Sequence, residues 1–383
     1  MASKQVSFAK EKVVREFLVP DYYKDFHCKG GNCRDSCCVE WKVTIPMEQY
    51  FLLHGLKCKT SVKEKIDRAF RPLLNPTKDR YAEIVHNYDG DCPLHKKDGY
   101  CLLHETCGEE VLPWVCRFYP RGPRIDIANE ASCANSCEKT LELLFSSSNK
   151  LSFEIRSLTF LISKPKEAIP EERKLLYIKV RDNIFSLLTN RDYPLHLRII
   201  NLGKYLSVMG ENTQIDLNEI DFSFNIPEYD IDENHQLLWS LLEMFDSKYK
   251  RLDEQLSEAR SNYLLKDVAE VYNKNKEHLE RTINNHEIYF EKMLINDLFF
   301  KQFPFQNNFS VYDQYLALCG TYVLLRYLTL NLMTNKSSID DYIDILAKSF
   351  TVISHSEFDK LISSFMKRLE IKELASLSKI LQM

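Results

Sequence analysis

No two of the ten glycines are separated by a single residue, so the chain has no G-x-G turn and no G-x-x-x-x-G-K-[ST] loop. The usual backbone cradle for a pyrophosphate or a Rossmann-bound adenosine is therefore excluded. G-x-S-x-G and H-E-x-x-H are missing too, which removes support for serine-hydrolase and zincin chemistry. Excess positive charge is also lacking. The formal net charge is −4 over 383 residues, so no basic field can displace counterions from nucleic-acid phosphates. The longest apolar run, Tyr315 to Met333, carries Arg326 near its middle, which suits a buried helix rather than a membrane span. The opening residues, MASKQVSFAKEKVV, hold no apolar export segment, which predicts a cytoplasmic, thiol-reducing setting.

Cysteine, by contrast, is concentrated. Eleven of twelve fall between Cys28 and Cys137, and Cys319 stands apart. Their order is Cys28-x4-Cys33-x3-Cys37-Cys38, then Cys92-Pro93, Cys101, Cys116-Arg117 and Cys133. A reducing setting argues against disulfides, and the adjacent Cys37 and Cys38 suit convergent metal ligation better than a bridge between neighbours. Soft sulfur selects zinc or iron–sulfur clusters over hard cations. Structural zinc normally shows C-x2-C knuckles, and this chain has none. His27, His86, His95 and His104 lie nearby without zinc-finger spacing and read as surface or hydrogen-bonding residues. The irregular gaps favour cysteines wrapping several irons, with zinc as the alternative. The radical-type C-x3-C-x2-C motif fails because its third position is Glu40.

Composition changes near residue 150. Seven of the ten glycines and eight of the thirteen prolines precede it, so residues 1–150 read as short elements joined by turns. Trp41, Val43 and Ile45 alternate with polar residues as in a half-buried strand. Pro46 opens a helix through Leu53 that Gly55 ends. Lys97-Asp98-Gly99 is a turn that brings Cys92 and Cys101 together on two arms. Ile125 and Ile127 suggest a further strand, and Glu138 to Phe145 a helix. Residues 151–383 are helical, with a loop break near 212–232. Helical spacing covers Glu171–Leu188, His235–Tyr249, Leu252–Val271, Glu277–Lys301 and Val311–Leu330, with shorter helices over Ser338–Thr351 and Ser356–Leu381. The expected fold is mainly α: a small irregular α+β cysteine-rich metal-binding domain followed by an α-helical domain.

The run Tyr23-x2-Phe26-x-Cys28-x4-Cys33-x3-Cys37-Cys38-x2-Trp41 is followed by Gly90-x-Cys92-Pro93, Tyr100-Cys101 and Gly108-Glu109-Glu110. Cys116-Arg117-x2-Pro120-Arg121 and Ser132-Cys133 complete the block, and Phe290-Glu291-x3-Ile295-Asn296-x2-Phe299-Phe300-x3-Pro304-Phe305 follows later. Together they resemble the flagellin lysine-N-methylases of bacteria, over roughly residues 20 to 335. The resemblance implies methyl transfer from S-adenosylmethionine to surface lysines of flagellin, with a [4Fe-4S] cluster held by the cysteine block. It carries over Cys28, Cys33, Cys37, Cys38, Cys92, Cys101, Cys116 and Cys133. Cys58, Cys107, Cys137 and Cys319 fall outside that set. Eight thiols exceed the four that one cubane needs, so two metal sites or some structural thiols are implied.

A lysine amine, with a pKa of about 10.4, must lose its proton before attacking a sulfonium methyl. Glu40, Glu83, Asp89 and Asp91 lie beside the cysteines as candidate bases, against a plainer role in turns and on the surface. Arg117 and Arg121 could offset the charge of a thiolate cluster, or form structural salt bridges. A non-enzymatic metal-cluster scaffold is the competing functional class.

Overall fold

Val311–Leu332 is buried at every residue from Gln314 to Leu330, which explains why its sequence shows no polar face. Other helices surround it, so Arg326 is enclosed by protein and donates to the Tyr322 hydroxyl at 2.5 Å. A computed structural model describes residues 10–383 except 40, 42, 126, 164–168, 210–215, 250–256, 258, 262, 265, 306–309, 335 and 355. Among the described residues no helix is long and apolar enough to cross a membrane.

Among the described residues the chain is mainly helical, with two small sheets. The helices are α1 (Met47–His54), α2 (Thr60–Ala69), α3 (Leu102–Cys107), α4 (Trp114–Phe118), α5 (Glu138–Phe145), α6 (Glu171–Leu188), α7 (Leu195–Val208) and α8 (Ile231–Tyr249). They continue as α9 (Val268–Thr282), α10 (His286–Lys301), α11 (Val311–Leu332), α12 (Ile339–Ser354), α13 (Phe358–Arg368) and α14 (Leu374–Leu381). Asp267 caps α9 by accepting the Glu270 N–H at 2.9 Å, and Ser310 caps α11 by accepting that of Asp313 at 3.1 Å. Helices α11 and α13 approach closely at Gly320, where a Cβ would lie 2.6 Å from Ile362.

Helices α5 and α6 occupy the spans that the sequence predicts, and α1 lies between Pro46 and Gly55, which flank it as expected. Three expectations need correction. The continuous helix over Glu277–Lys301 is two helices, because Ile283 leaves helical geometry between α9 and α10. Ile125 and Ile127 follow a strand rather than forming one. Helix α7, absent from the sequence reading, spans Leu195–Val208. Of the helix expected over Leu252–Val271, residues 252–256, 258, 262 and 265 lie outside the described residues; 257, 259–261, 263 and 264 are helical, the helix breaks at 266–267, and the end from Val268 belongs to α9.

Strands β1 (Lys10–Pro20), β5 (Arg121–Arg124), β6 (Glu130–Cys133) and β7 (Phe153–Ser163) form a sheet in the order β5-β6-β1-β7. Strands β1 and β7 pair antiparallel from Lys10↔Ser163 to Pro20↔Phe153, across the compositional boundary near residue 150. A second sheet, ordered β2-β4-β3, joins Thr44–Ile45, Ala82–Ile84 and Phe70–Pro72. Its core is local: Trp41, Val43, Ile45, Leu53, Ile66, Phe70, Leu94, Leu103 and Leu112 pack together. A larger core gathers the four-stranded sheet, α5 and the later helices. Each fully buried Leu or Phe there contributes about 1.5–3 kcal/mol.

Buried ion networks tie the layers. Glu130 of β6 accepts from Tyr177 at 2.6 Å, from Arg181 at 2.5 Å and from Gln302 at 2.9 Å. Glu291 of α10, fully buried, binds Arg191 and Arg198 at 2.7 and 2.6 Å. Each acid is satisfied on several sides, as a buried charge requires.

Candidate functional site

Two loops build the floor of the cysteine region. Gly30 and Gly31 lie between Cys28 and Cys33, and they pack on the turn Lys97–Tyr100. A Cβ on Gly31 would collide with the Asp98 carbonyl oxygen, and one on Gly99 would lie 2.7 Å from the Gly31 Cα. Only glycine permits that backbone approach. The turn itself forms as the sequence predicts. The Gly99 N–H donates to the Lys96 carbonyl at 2.9 Å, and His95 bridges Cys101 across it. The Cys92 N–H donates to the Cys38 carbonyl at 2.9 Å, which fixes those two side by side.

Two cavities result. The inner, of about 150 Å³, is lined by Cys28, Cys33, Cys37, Cys38, Cys92, Cys101 and Cys116, with Trp41 and Tyr100. The outer, of about 80 Å³, shares Cys28, Cys33, Cys37, Cys116 and Trp41 and adds Cys137 and Glu138. The structure thus brings seven of the eight expected cysteines to one place. Cys133 lines neither cavity. It is buried in the larger core, where its carbonyl accepts from Asn296 at 2.8 Å and its N–H donates to the Tyr22 hydroxyl at 3.1 Å. Cys58 and Cys107 interact with each other outside both cavities. Cys319 is buried among helices beside Tyr315.

The electrostatics follow from crowding. Burial pushes the Cys33 and Cys92 thiols up to about 12, aided by the negative charges of Glu138 and Cys137 on Cys33 and of Cys38 on Cys92. Burial likewise raises Cys101 and Cys116. Cys37 and Cys38 share a hydrogen bond, which raises Cys37 as the donor and lowers Cys38 to about 6 as the acceptor. Without a neighbouring cation most of these sulfurs are therefore neutral thiols, and a bound soft metal would hold them as thiolates. The donor set fits such a group: the sulfurs share the inner cavity with the apolar Trp41, Val43, Phe70, Leu94 and Leu103. Among the described residues, no three His, Cys, Asp or Glu side chains already converge as a metal-coordinating group.

The other sequence candidates sort differently. His27 contacts the Asp25 carbonyl at 3.1 Å, and His86 and His104 line the inner cavity. His95 bonds Asp91 at 3.1 Å, and its charge helps lower Cys38. Glu83 pairs with Arg71 at 3.1 Å, Asp89 accepts from the Asp91 N–H, and none of Glu83, Asp89 and Asp91 lines either cysteine cavity. Glu40 lies outside the described residues. Arg117 pairs with Glu110 at 3.0 Å, the structural salt bridge. Arg121 donates to the Arg117 carbonyl at 3.3 Å, and its charge acts on Cys133. Cys137 and Glu138 are the residues that sequence reasoning missed. Cys133-x3-Cys137 repeats the spacing of Cys33-x3-Cys37, a signal that could have drawn attention to Cys137.

A further cavity, of about 710 Å³, opens between the end of α6, the start of α7 and the segment 217–224. Its walls include Tyr193, Phe222, Phe224, Asn190 and Asn201, with Lys150 at the side. Lys204 holds this segment by donating to the Asp221 carbonyl at 3.2 Å and to that of Ser223.

Comparison with known proteins agrees on one family. The model of the FliB lysine N-methylase C-terminal domain matches residues 181–382, more than half of the chain. Lysine-N-methylases of Salmonella choleraesuis and Salmonella typhimurium are each 23% identical over 216 residues, covering 54% of this chain and 50% of theirs. The flagellar biosynthetic protein FliU of Salmonella muenchen is 28% identical over 116 residues, covering 29% of this chain and 64% of its own. The chain thus spans about half the length of the curated lysine-N-methylases it matches. No solved structure matches. With its helical half matched from α6 to the C-terminal helices, the chain belongs to the FliB lysine N-methylase family.

Proposed function

We propose that this protein is a cytoplasmic lysine N-methyltransferase that moves methyl groups from S-adenosylmethionine to surface lysines of flagellin. The observation that carries the reading is the coincidence of the 710 Å³ cavity with the family-matched segment, which supplies every named wall residue except Lys150. Its volume is in the usual range for small-ligand pockets. Tyr193, Phe222 and Phe224 offer aromatic faces for a purine or a sulfonium cation, and Asn190 and Asn201 offer amides for polar edges. Lys150 suits the donor's carboxylate. Leu187 and Leu197 give an entering lysine an apolar surface that favours its neutral amine. The amine nitrogen then attacks the methyl carbon as the carbon–sulfur bond breaks. The sulfonium leaves as a neutral thioether, and the methylated ammonium loses its proton to water.

The cysteine cavities are assigned to a [4Fe-4S] cluster, with zinc as the alternative metal. Cys28, Cys33, Cys37, Cys38, Cys92, Cys101 and Cys116 would hold such a metal, whose positive charge would keep the sulfurs as thiolates. Its role in this reading is structural. The test is anaerobic incubation with S-adenosylmethionine and unmodified flagellin, read as about 14 Da added per methyl group. Phe224→Ala should slow methylation at least about 10-fold while leaving iron content unchanged. Absence of any mass shift on flagellin would leave the scaffold reading in place.

A further inference from the structure

We infer that Cys137, and not Cys133, completes the thiolate set of the outer cavity with Cys28 and Cys33. The inference rests on the cluster reading above and adds a residue that the resemblance leaves out. Cys137 lines the outer cavity together with Cys28, Cys33, Cys37 and Cys116, whereas Cys133 lines neither cavity. Its place is set by its neighbour. Glu138 accepts the backbone N–H groups of Arg34 and Asp35 at 3.0 Å and the Lys29 ammonium at 2.5 Å. This clamps the Cys28–Cys33 loop directly onto the first turn of α5, beside Cys137. The mutual influence of the sulfurs agrees with that placement: Cys33 feels the charges of Cys137 and Cys28, and Cys137 feels that of Cys28.

Cys133 lines neither cavity. Its backbone joins β6 to Tyr22 and Asn296, and its side chain is fully buried in the larger core, near enough for the Cys137 charge to act on it. The chemical class of ligand for the Cys137 set is a soft metal, iron in a sulfide cluster or zinc.

The test compares full-length Cys137→Ser and Cys133→Ser, purified without oxygen, by iron, sulfide and zinc analysis per chain. A second readout is alkylation of each cysteine by iodoacetamide with and without a chelator, mapped by peptide mass. Cys137→Ser should lose at least a quarter of the bound metal yet melt normally after metal removal, because serine is a favourable residue at the N-cap position that Cys137 occupies. Cys133→Ser should keep its metal and melt at a lower temperature. In the wild type, chelation should open Cys137 to alkylation and leave Cys133 protected. Full metal retention in Cys137→Ser, or alkylation of Cys137 that ignores the chelator, overturns the inference while the cluster reading stands. Wild-type protein that binds neither iron nor zinc overturns both.

Discussion

Glu138 accepts the backbone N–H of Arg34 with both carboxylate oxygens, at 3.1 and 3.0 Å, although 104 residues separate the two in sequence. Arg34 extends the link with its side chain, reaching Glu142 at 3.1 Å and Asp344 of α12 at 2.8 Å. One buried acid therefore couples the first cysteine loop to α5, and the arginine it holds couples that loop to the helical bundle.

Replacing that acid should be costly. In Glu138→Ala the partly buried N–H groups of Arg34 and Asp35 lose their acceptor, and Lys29 keeps only Glu142. A loss of about 2–3 kcal/mol is expected in urea unfolding. Metal content should fall with it, since the loop that carries Cys28 and Cys33 is released. An unchanged unfolding midpoint would show that the clamp is dispensable.

Gly31→Ala tests the close approach of the two loops. The new methyl group would collide with the Asp98 carbonyl, a backbone atom that cannot rotate away. The two loops must separate, so bound metal should drop by more than half, with little change in helix content by circular dichroism. Gly55→Ala, where the nearest atom lies at 3.2 Å, is the milder control. Equal metal content in both variants would count against the loop contact as the organiser of the cavities.

Asn296→Ala should destabilise without touching the cysteine cavities. The amide donates to the Cys133 carbonyl and to Asn135, at 2.8 and 2.7 Å, and accepts from Tyr22 at 2.7 Å, all in a fully buried setting. Losing these partners should cost about 3 kcal/mol by denaturant titration. Metal per chain should stay at the wild-type level; coupled metal loss would mean that Cys133 does more than join strand to helix.

His286 predicts a pH dependence. Burial, then the nearby Arg326 charge, lowers its pKa to about 4 from the usual value near 6.5. The unfolded chain thus binds a proton that the folded chain refuses between those values, and stability falls as pH drops through that window. From pH 7 to pH 5 this residue should account for about 2 kcal/mol of lost stability. His286→Gln should flatten the profile by that amount in paired unfolding curves, and parallel curves would refute the assignment.

Much of the helical half was legible because an apolar stripe at helical spacing needs only local sequence. Glu171–Leu188 and Glu138–Phe145 match α6 and α5 for that reason. The turn at Lys97–Gly99 was equally local. Strands β1 and β7 were not legible: their pairing joins residues up to 153 apart, as Lys10 does with Ser163, and the exposed Val14 and Ile155 blur the alternation. Ile283, where α9 ends, is itself apolar and carries no breaker signal.

The cysteine block shows the same division. Its order and composition alone marked a thiol-rich centre, since residue type determines which metals a site can hold. Which sulfurs share a wall was decided by tertiary structure. The glycine contact between the two loops and the Glu138 clamp bring Cys137 to the outer cavity. The Tyr22 and Asn296 bonds hold the Cys133 backbone in the core. Of these two residues four apart in sequence only Cys137 lines the cavity, although its charge acts on the Cys133 sulfur, because long-range contacts, not local spacing, determine which side chain reaches that wall.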